Sequence, residues 1–326
     1  MDSENKTNEN RKISLTSRML SVIGQLKEEK KHSSVHTYTA ALHSFTDYSG
    51  GKEAGMAVDL VFQPGRLKEY QDWLRQKESS WNTVSTYMRV LRAVYNRIFP
   101  PGTTGHNPKL FDGVYTKVEP KIKRALTENQ MQTLSKADFD SLPEDMQHVL
   151  AWFLLMFMFR GMPFIDLAHL RKSDVKGNTI VYCRHKTGKQ MVVSIPREAV
   201  KLFELFIDKS SGSPYLFPIL NGKLKDEWQL YRCYQEALRN FNRKLEKIGK
   251  LLLPGVKISS YTARHTWATL AFYREVPVGI ISKALGHSSI KVTETYLKPF
   301  ENERVDAVND ELILSLMNNT KENIAS

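Results

Sequence analysis

Cysteine is almost missing from this sequence: its 326 residues hold two, Cys183 and Cys233, with no CxxC pair. So few thiols exclude a zinc cluster or a disulfide framework, and they fit packing roles in a reducing compartment. Long apolar runs are missing too. The longest, VLAWFLLMFMF from Val149 to Phe159, is about half of what crosses a bilayer, so it is expected as a helix buried on all sides. The opening MDSENKTNENRKISLTS lacks the apolar core of a signal peptide. A soluble, cytoplasmic protein with no membrane partner is expected. Acidic residues are the third deficit, 35 Asp plus Glu against 47 Lys plus Arg, for a formal charge of +12. That excess favours a polyanionic partner, with nucleic acid ahead of an acidic membrane surface.

The length accommodates two domains with ample cores. Residues 1–12 read as a polar, disordered tail. From Ile13 apolar residues recur at three- and four-residue spacings through ISLTSRMLSVIGQLKEEKK and SSVHTYTAALHSFTDYSG, with Ser33 or Ser34 as N-cap of the second segment. RLKEYQDWLRQKE and SSWNTVSTYMRVLRAVYNRIF continue the pattern, the latter setting Arg89 and Arg92 among apolar residues. A helical domain over 13–105 is expected, with both arginines as candidate DNA contacts. Pro and Gly punctuate the next stretch, read as a linker over 106–121, and Lys121, Lys123 and Arg124 form a basic strap. The strap either tracks a nucleic-acid backbone or is a solvated loop.

The second domain, 122–326, opens on LTENQMQTL, where Thr127 and Gln130 have capping-box spacing. Pro163 is expected at the first position of the helix PFIDLAHL. GNTIVYCRHKTGKQMVVSIP alternates and turns at Thr187-Gly188, a β-hairpin whose turn carries Lys186 and Lys189. Helices are expected to resume from Arg197 to the neighbourhood of Val292. There is no internal repeat.

Taken singly, the candidates for chemistry are bland. An arginine on a helix is usually a surface ion-pair partner, and a histidine beside it usually packs. Their order is more informative: Arg160 before a short helix, Lys186 in a hairpin turn, Arg264-His265 in ARHTWAT, His287 in ALGHSSIKVTETYLK, and Tyr296 nine residues after that histidine. This set resembles the tyrosine recombinase family, the phage-type integrases that include Xer-type and mobile-element enzymes. The resemblance covers nearly the whole chain. It implies a mainly α fold with a small antiparallel β-sheet, in a two-domain DNA clamp whose first domain is the SAM-like core-binding domain. It also implies site-specific recombination through a 3′-phosphotyrosyl intermediate, in integration, excision or inversion, with four protomers on a double-stranded DNA site. No metal or nucleotide cofactor is called for.

The residue types suit that chemistry. Cutting a phosphodiester without a metal needs a nucleophile, an acid for the leaving oxygen and fixed positive charge for the phosphorane. On the resemblance, Tyr296 is the nucleophile, Arg264 clamps the phosphate, His287 hydrogen-bonds a phosphate oxygen, His265 supports, and Lys186 protonates the 5′ oxygen, with Lys189 as its fallback. Two positions depart from the family pattern. Pro163 stands where the first arginine is usual; Arg160 is the expected replacement, or else an ion-pair partner of Asp166, and Arg184 in the hairpin is the next candidate as well as a DNA contact. Tyr261 stands where histidine or lysine is usual, and it either gives the phosphate a neutral hydrogen bond or packs as an aromatic. An amphipathic segment from about Arg304 to Met317 is expected to dock on a neighbouring protomer. The competing functions are a type IB topoisomerase and a DNA-binding protein whose site has decayed.

Overall fold

The computed structural model describes residues 14–51, 57–119 and 125–297, together with Asp306 and residues 308–314. The chain divides into two units, Met1–Lys121 and Ile122–Ser326. Lys121, Lys123 and Arg124 lie outside the described residues.

The first unit is built of helices α1 (Leu15–Glu28), α2 (His32–Tyr48), the single turn α3 (Val58–Val61), α4 (Pro64–Gln76) and α5 (Trp81–Ile98). Ser14 and Ser80 cap α1 and α5, each accepting a backbone N–H of the first turn. The expected cap at Ser33 or Ser34 is corrected: α2 starts at His32, so both serines lie inside its first turn. The cause is the tight link from α1, in which Lys30 turns left-handed and Lys31 N–H closes back on Leu26 O at 2.9 Å, leading straight into the next helix. Leu15, Met19, Phe45, Leu67, Tyr70 and Met88 are buried together as the core. Leu110, Phe111 and Val114, from the stretch expected as linker, belong to that core. Asn107 N–H also donates to Tyr95 Oη at 2.7 Å, so these residues are tied to α5.

The second unit holds α6 (Glu128–Ser135), α7 (Glu144–Met158), α8 (Phe164–His169), a three-stranded antiparallel sheet, and then α9 (Arg197–Phe206), α10 (Glu227–Leu252), α11 (Ser260–Tyr273), α12 (Val278–Leu285) and α13 (Ile290–Glu294). The strands β1 (Val175–Lys176), β2 (Thr179–Cys183) and β3 (Gln190–Ser194) pair in that order, with Ile180 opposite Val193 and Tyr182 opposite Met191. The Thr127–Gln130 capping box is formed. Pro163 is the N-cap of α8, one place earlier than expected.

α7 is the central post: α9, α10 and α11 all pack on it. Val149 to Met156 are buried without a break. Burying each large apolar side chain stabilises the unit by about 1.5–3 kcal/mol, which explains why an apolar run of this length need not face lipid. No described helix is long and apolar enough to cross a membrane.

Candidate active site

Arg264 is set by α11, which Ser259 and Thr262 start with a reciprocal capping box. Its side chain is 2% exposed. The neighbouring backbone is Gly161, with a φ of +68°, where a Cβ would come within 3.0 Å of Arg264 Cα. Only glycine combines that φ with that approach. The guanidinium donates to Gly161 O (2.8 Å), Leu285 O (2.5 Å) and His287 Nε2 (3.0 Å).

His287 follows the C-terminus of α12, where Gly286 is left-handed and His287 N–H closes back on Ser282 O at 3.0 Å. Its Nδ1 meets Thr293 Oγ1 on α13 at 2.9 Å. Because arginine can only donate, Nε2 is the acceptor and the ring proton sits on Nδ1. Burial, followed by the charges of Arg264, Arg184, Lys186 and Lys189, pushes the imidazole down to about 4.

Tyr296 comes just after α13, held by its N–H on Thr293 O at 2.8 Å and by the buried Leu297 beside it. Its ring lies between two imidazoles, 4.9 Å from His265 and 4.7 Å from His287, with Arg264 Cζ 5.4 Å from the ring centroid. His265 Nδ1 donates to the Tyr296 carbonyl at 3.3 Å. Residues 264, 265, 287 and 296 are thus brought together from three separate segments.

A second arginine joins them. Arg184 is 6% exposed, bonded by Nη1 to Gly286 O at 2.7 Å, and its Nε lies 3.8 Å from Asp166 Oδ2. Its charge is the strongest after burial to press on Arg264. Burial raises the Asp166 carboxyl, against the pull of the His185 N–H and of Arg184. Arg184 was expected as the next candidate for the missing arginine and as a DNA contact; the structure buries it beside Arg264. Arg160 has a φ of +59° and reaches across to Val192 O on β3 at 3.2 Å. The expected alternative, an Arg160–Asp166 ion pair, is not what Asp166 makes: its oxygens face Arg184 and the His185 N–H.

Comparison with known proteins decides the family. The sequence matches the phage integrase family over residues 124–303 and the phage integrase SAM-like domain over residues 14–110. The chain belongs to the phage integrase family. This integrase is 24% identical over 230 residues to a tyrosine recombinase of Thermosipho africanus, covering 69% of this chain and 75% of that protein. It is 22% identical over 289 residues to tyrosine recombinase XerA of Pyrococcus furiosus, covering 86% and 88%. Its fold is shared with the Tn1549 transposon integrase solved in complex with transposon right end DNA, at a TM-score of 0.64 and 15% identity, over 92% of this chain and 100% of that one. The expected fold class, mainly α with a small antiparallel sheet, holds.

The remaining candidates lie around the cluster. Lys186 and Lys189 are exposed in the β2–β3 turn, near enough for both charges to act on His287. Tyr261 is 55% exposed and lies at the edge of a cleft of about 760 Å³ that Arg264, Asn242, Arg243 and Lys257 also line. Its ring lies 6.3 Å from that of His265, and burial raises its phenol. In the first unit, Arg89 and Arg92 are exposed on α5. Sequence reasoning gave Gly161 only the role of a helix stop and gave Thr293 none. It named Arg184 as the next candidate for the missing arginine, and alternation agrees: Ile180 and Tyr182 on β2 are core residues, and Arg184, just past the strand, continues their face.

The His287 shift carries a stability consequence in this integrase. Between an ordinary value near 6.5 and about 4, the unfolded chain takes up a proton that the folded chain does not. Stability therefore falls as pH drops through that window, by up to roughly 3 kcal/mol. Urea midpoints measured at pH 7 and pH 4.5 should diverge less for His287→Gln than for the wild type; equal divergence would place the effect elsewhere.

Proposed function

We propose that this chain is a site-specific DNA recombinase that cleaves and rejoins strands through a 3′-phosphotyrosyl intermediate. The observation that carries it is the seating of Tyr296 over the Arg264 guanidinium and beside His287. A phenol so placed needs only a phosphodiester drawn onto the same guanidinium to stand in line for attack. Tyr296 Oη bonds to phosphorus as the P–O5′ bond breaks. The 5′ oxygen takes a proton from the Lys186 ammonium, and the phenol proton passes to His287 Nε2. The resemblance cast His287 as a donor to phosphate, but Nε2 carries no proton in the free protein, which favours the acceptor role. Arg264 and Arg184 supply the fixed positive charge, the second standing in for the arginine missing at Pro163. Rejoining is the reverse attack of a DNA 5′ hydroxyl on the phosphotyrosine, so the bond energy is kept and no nucleotide is consumed.

The proposed partner is a double-stranded recombination site, gripped in part by Arg89, Arg92, Lys121, Lys123, Arg124 and Lys189, with four protomers exchanging strands in pairs. Asp306 and residues 308–314 are helical, and Val308, Leu312, Ile313 and Leu314 are exposed there. Such an apolar stripe supports docking of this segment on a neighbouring protomer. The setting proposed is the cytoplasm and the task integration, excision or inversion of a mobile element.

A nicked duplex that loses its 5′ fragment on cleavage would trap the intermediate. The expected result is a covalent complex with the phosphoryl group on the peptide containing Tyr296, and no complex would sink the proposal. Exchange between two-site substrates, with no relaxation of one-site circles, would separate a recombinase from a topoisomerase. Tyr261 is proposed to give the phosphate one neutral hydrogen bond. Tyr261→Phe should then slow covalent complex formation by about 3- to 10-fold, and a larger loss would assign it a reacting role.

A further inference from the structure

The turn that carries Lys186 has four residues, closed by Arg184 N–H on Lys189 O (2.9 Å) and Gly188 N–H on Arg184 O (2.8 Å). A short turn at the end of a strand pair rocks about its base unless something outside the pair holds it. Here α8 holds it at two points. Asp166 Oδ1 accepts the backbone N–H of His185 at 2.9 Å, and the His185 ring lies 4.7 Å from the His169 ring at an interplanar angle of 47°. Asp166 and His169 are three residues apart on α8, so they present to the same side. His169 is itself fixed, with Nδ1 donating to Ile165 O at 2.8 Å and its ring 5.6 Å from Tyr234.

The two contacts do different things. One hydrogen bond to a backbone N–H fixes a point but allows the turn to pivot about it. The ring contact supplies a second point, and two points fix the direction in which the next residue leaves. That next residue is Lys186. His185 is otherwise exposed, and the core has no need of its side chain.

We infer that His185 is a positioning residue: packed against the His169 ring, it aims Lys186 at the departing 5′ oxygen. The inference rests on Lys186 being the leaving-group acid. In that step the P–O5′ bond breaks and the Lys186 proton moves to O5′. With sulfur in place of O5′ the group leaves as a thiolate and needs no proton, so the substitution removes the demand for Lys186 and for anything that acts through it.

Single-turnover cleavage of a nicked duplex, with oxygen or sulfur at the 5′ bridging position, tests this on the full chain. Lys186→Ala should be slowed by about 10²-fold or more on oxygen and run near wild type on sulfur. His185→Ala should lose about 10- to 50-fold on oxygen, as expected for a misplaced rather than missing group, and should recover to within about threefold of wild type on sulfur. His185→Phe keeps a ring against His169 and should stay within about threefold of wild type on both substrates. Sulfur rescue of Lys186→Ala without rescue of His185→Ala overturns the inference alone. So does a His185→Ala variant as fast as wild type on oxygen, or a His185→Phe variant as slow as His185→Ala. Failure of sulfur to rescue Lys186→Ala overturns the role of Lys186 and the inference with it.

Discussion

Arg184→Ala is expected to slow covalent complex formation by about 10²- to 10³-fold, a loss of roughly 3–4 kcal/mol of transition-state stabilisation. Arg160→Ala is expected to slow it by less than about fivefold. The contrast follows from where the two guanidinium groups lie. Arg184 is buried beside Arg264 and shares with it the shell around Gly286 and His287. Arg160 is spent on the Val192 carbonyl at the far strand of the hairpin. Removing Arg184 also strips Asp166 of its cation, so loss of fold is the effect to separate from loss of chemistry. Arg184→Lys separates them: it keeps the charge near Asp166 but gives up the fork that can hold Gly286 O and a phosphate oxygen together. It should melt close to wild type while remaining at least about tenfold slow. Rates in which Arg160→Ala is as damaged as Arg184→Ala would return the role to Arg160.

Tyr296→Phe should abolish the covalent complex, a loss of at least about 10⁴-fold, because no other group can form the bond to phosphorus. It should leave folding nearly unchanged. The phenylalanine ring fits the same slot between His265 and His287, and the His265 bond goes to the backbone carbonyl, which the substitution keeps. A melting curve matching the wild type to within about 0.5 kcal/mol, with DNA still bound, would show that only the nucleophile has gone. An adduct that persists in Tyr296→Phe and maps to Tyr261 would overturn the assignment.

Much of this architecture was legible in the sequence because it rests on local chemistry. The Thr127 box, the buried α7 and the hairpin at Gly188 each follow from periodicity or from a residue with one conformational use. Arg264, His287 and Tyr296 could be picked out as a set because all three sit in two short motifs, ARHTWAT and ALGHSSIKVTETYLK. Contacts that join distant segments were hidden. Arg184 meets Gly286 across 102 residues, and no spacing rule encodes that. Only the alternation along β2 pointed inward, and a charged residue is normally given to the solvent face. Tyr261 stayed open between two roles for the opposite reason: helical periodicity puts it on the Arg264 side of α11, but exposure depends on how wide the cleft beside it is. The stretch after Pro100 read as a connector because Pro and Gly dominate it, although Leu110, Phe111 and Val114 were enough to anchor part of it in the first core.

The three acceptors on the Arg264 guanidinium, two carbonyls and a neutral imidazole, have a further meaning. They engage Nη1 and Nη2, leave the buried Nε without a partner and do not offset the charge, while Arg184 adds like charge next to it. Two like charges so placed repel one another, an effect that Asp166 beside Arg184 offsets only in part, and a bound anion would relieve the repulsion. Folding and phosphate capture are linked equilibria in such a molecule: a group that neutralises the pair raises the melting temperature as it binds. Selection for a stabler unliganded protein and selection for a tighter grip on the scissile phosphate consequently pull this pocket in opposite directions.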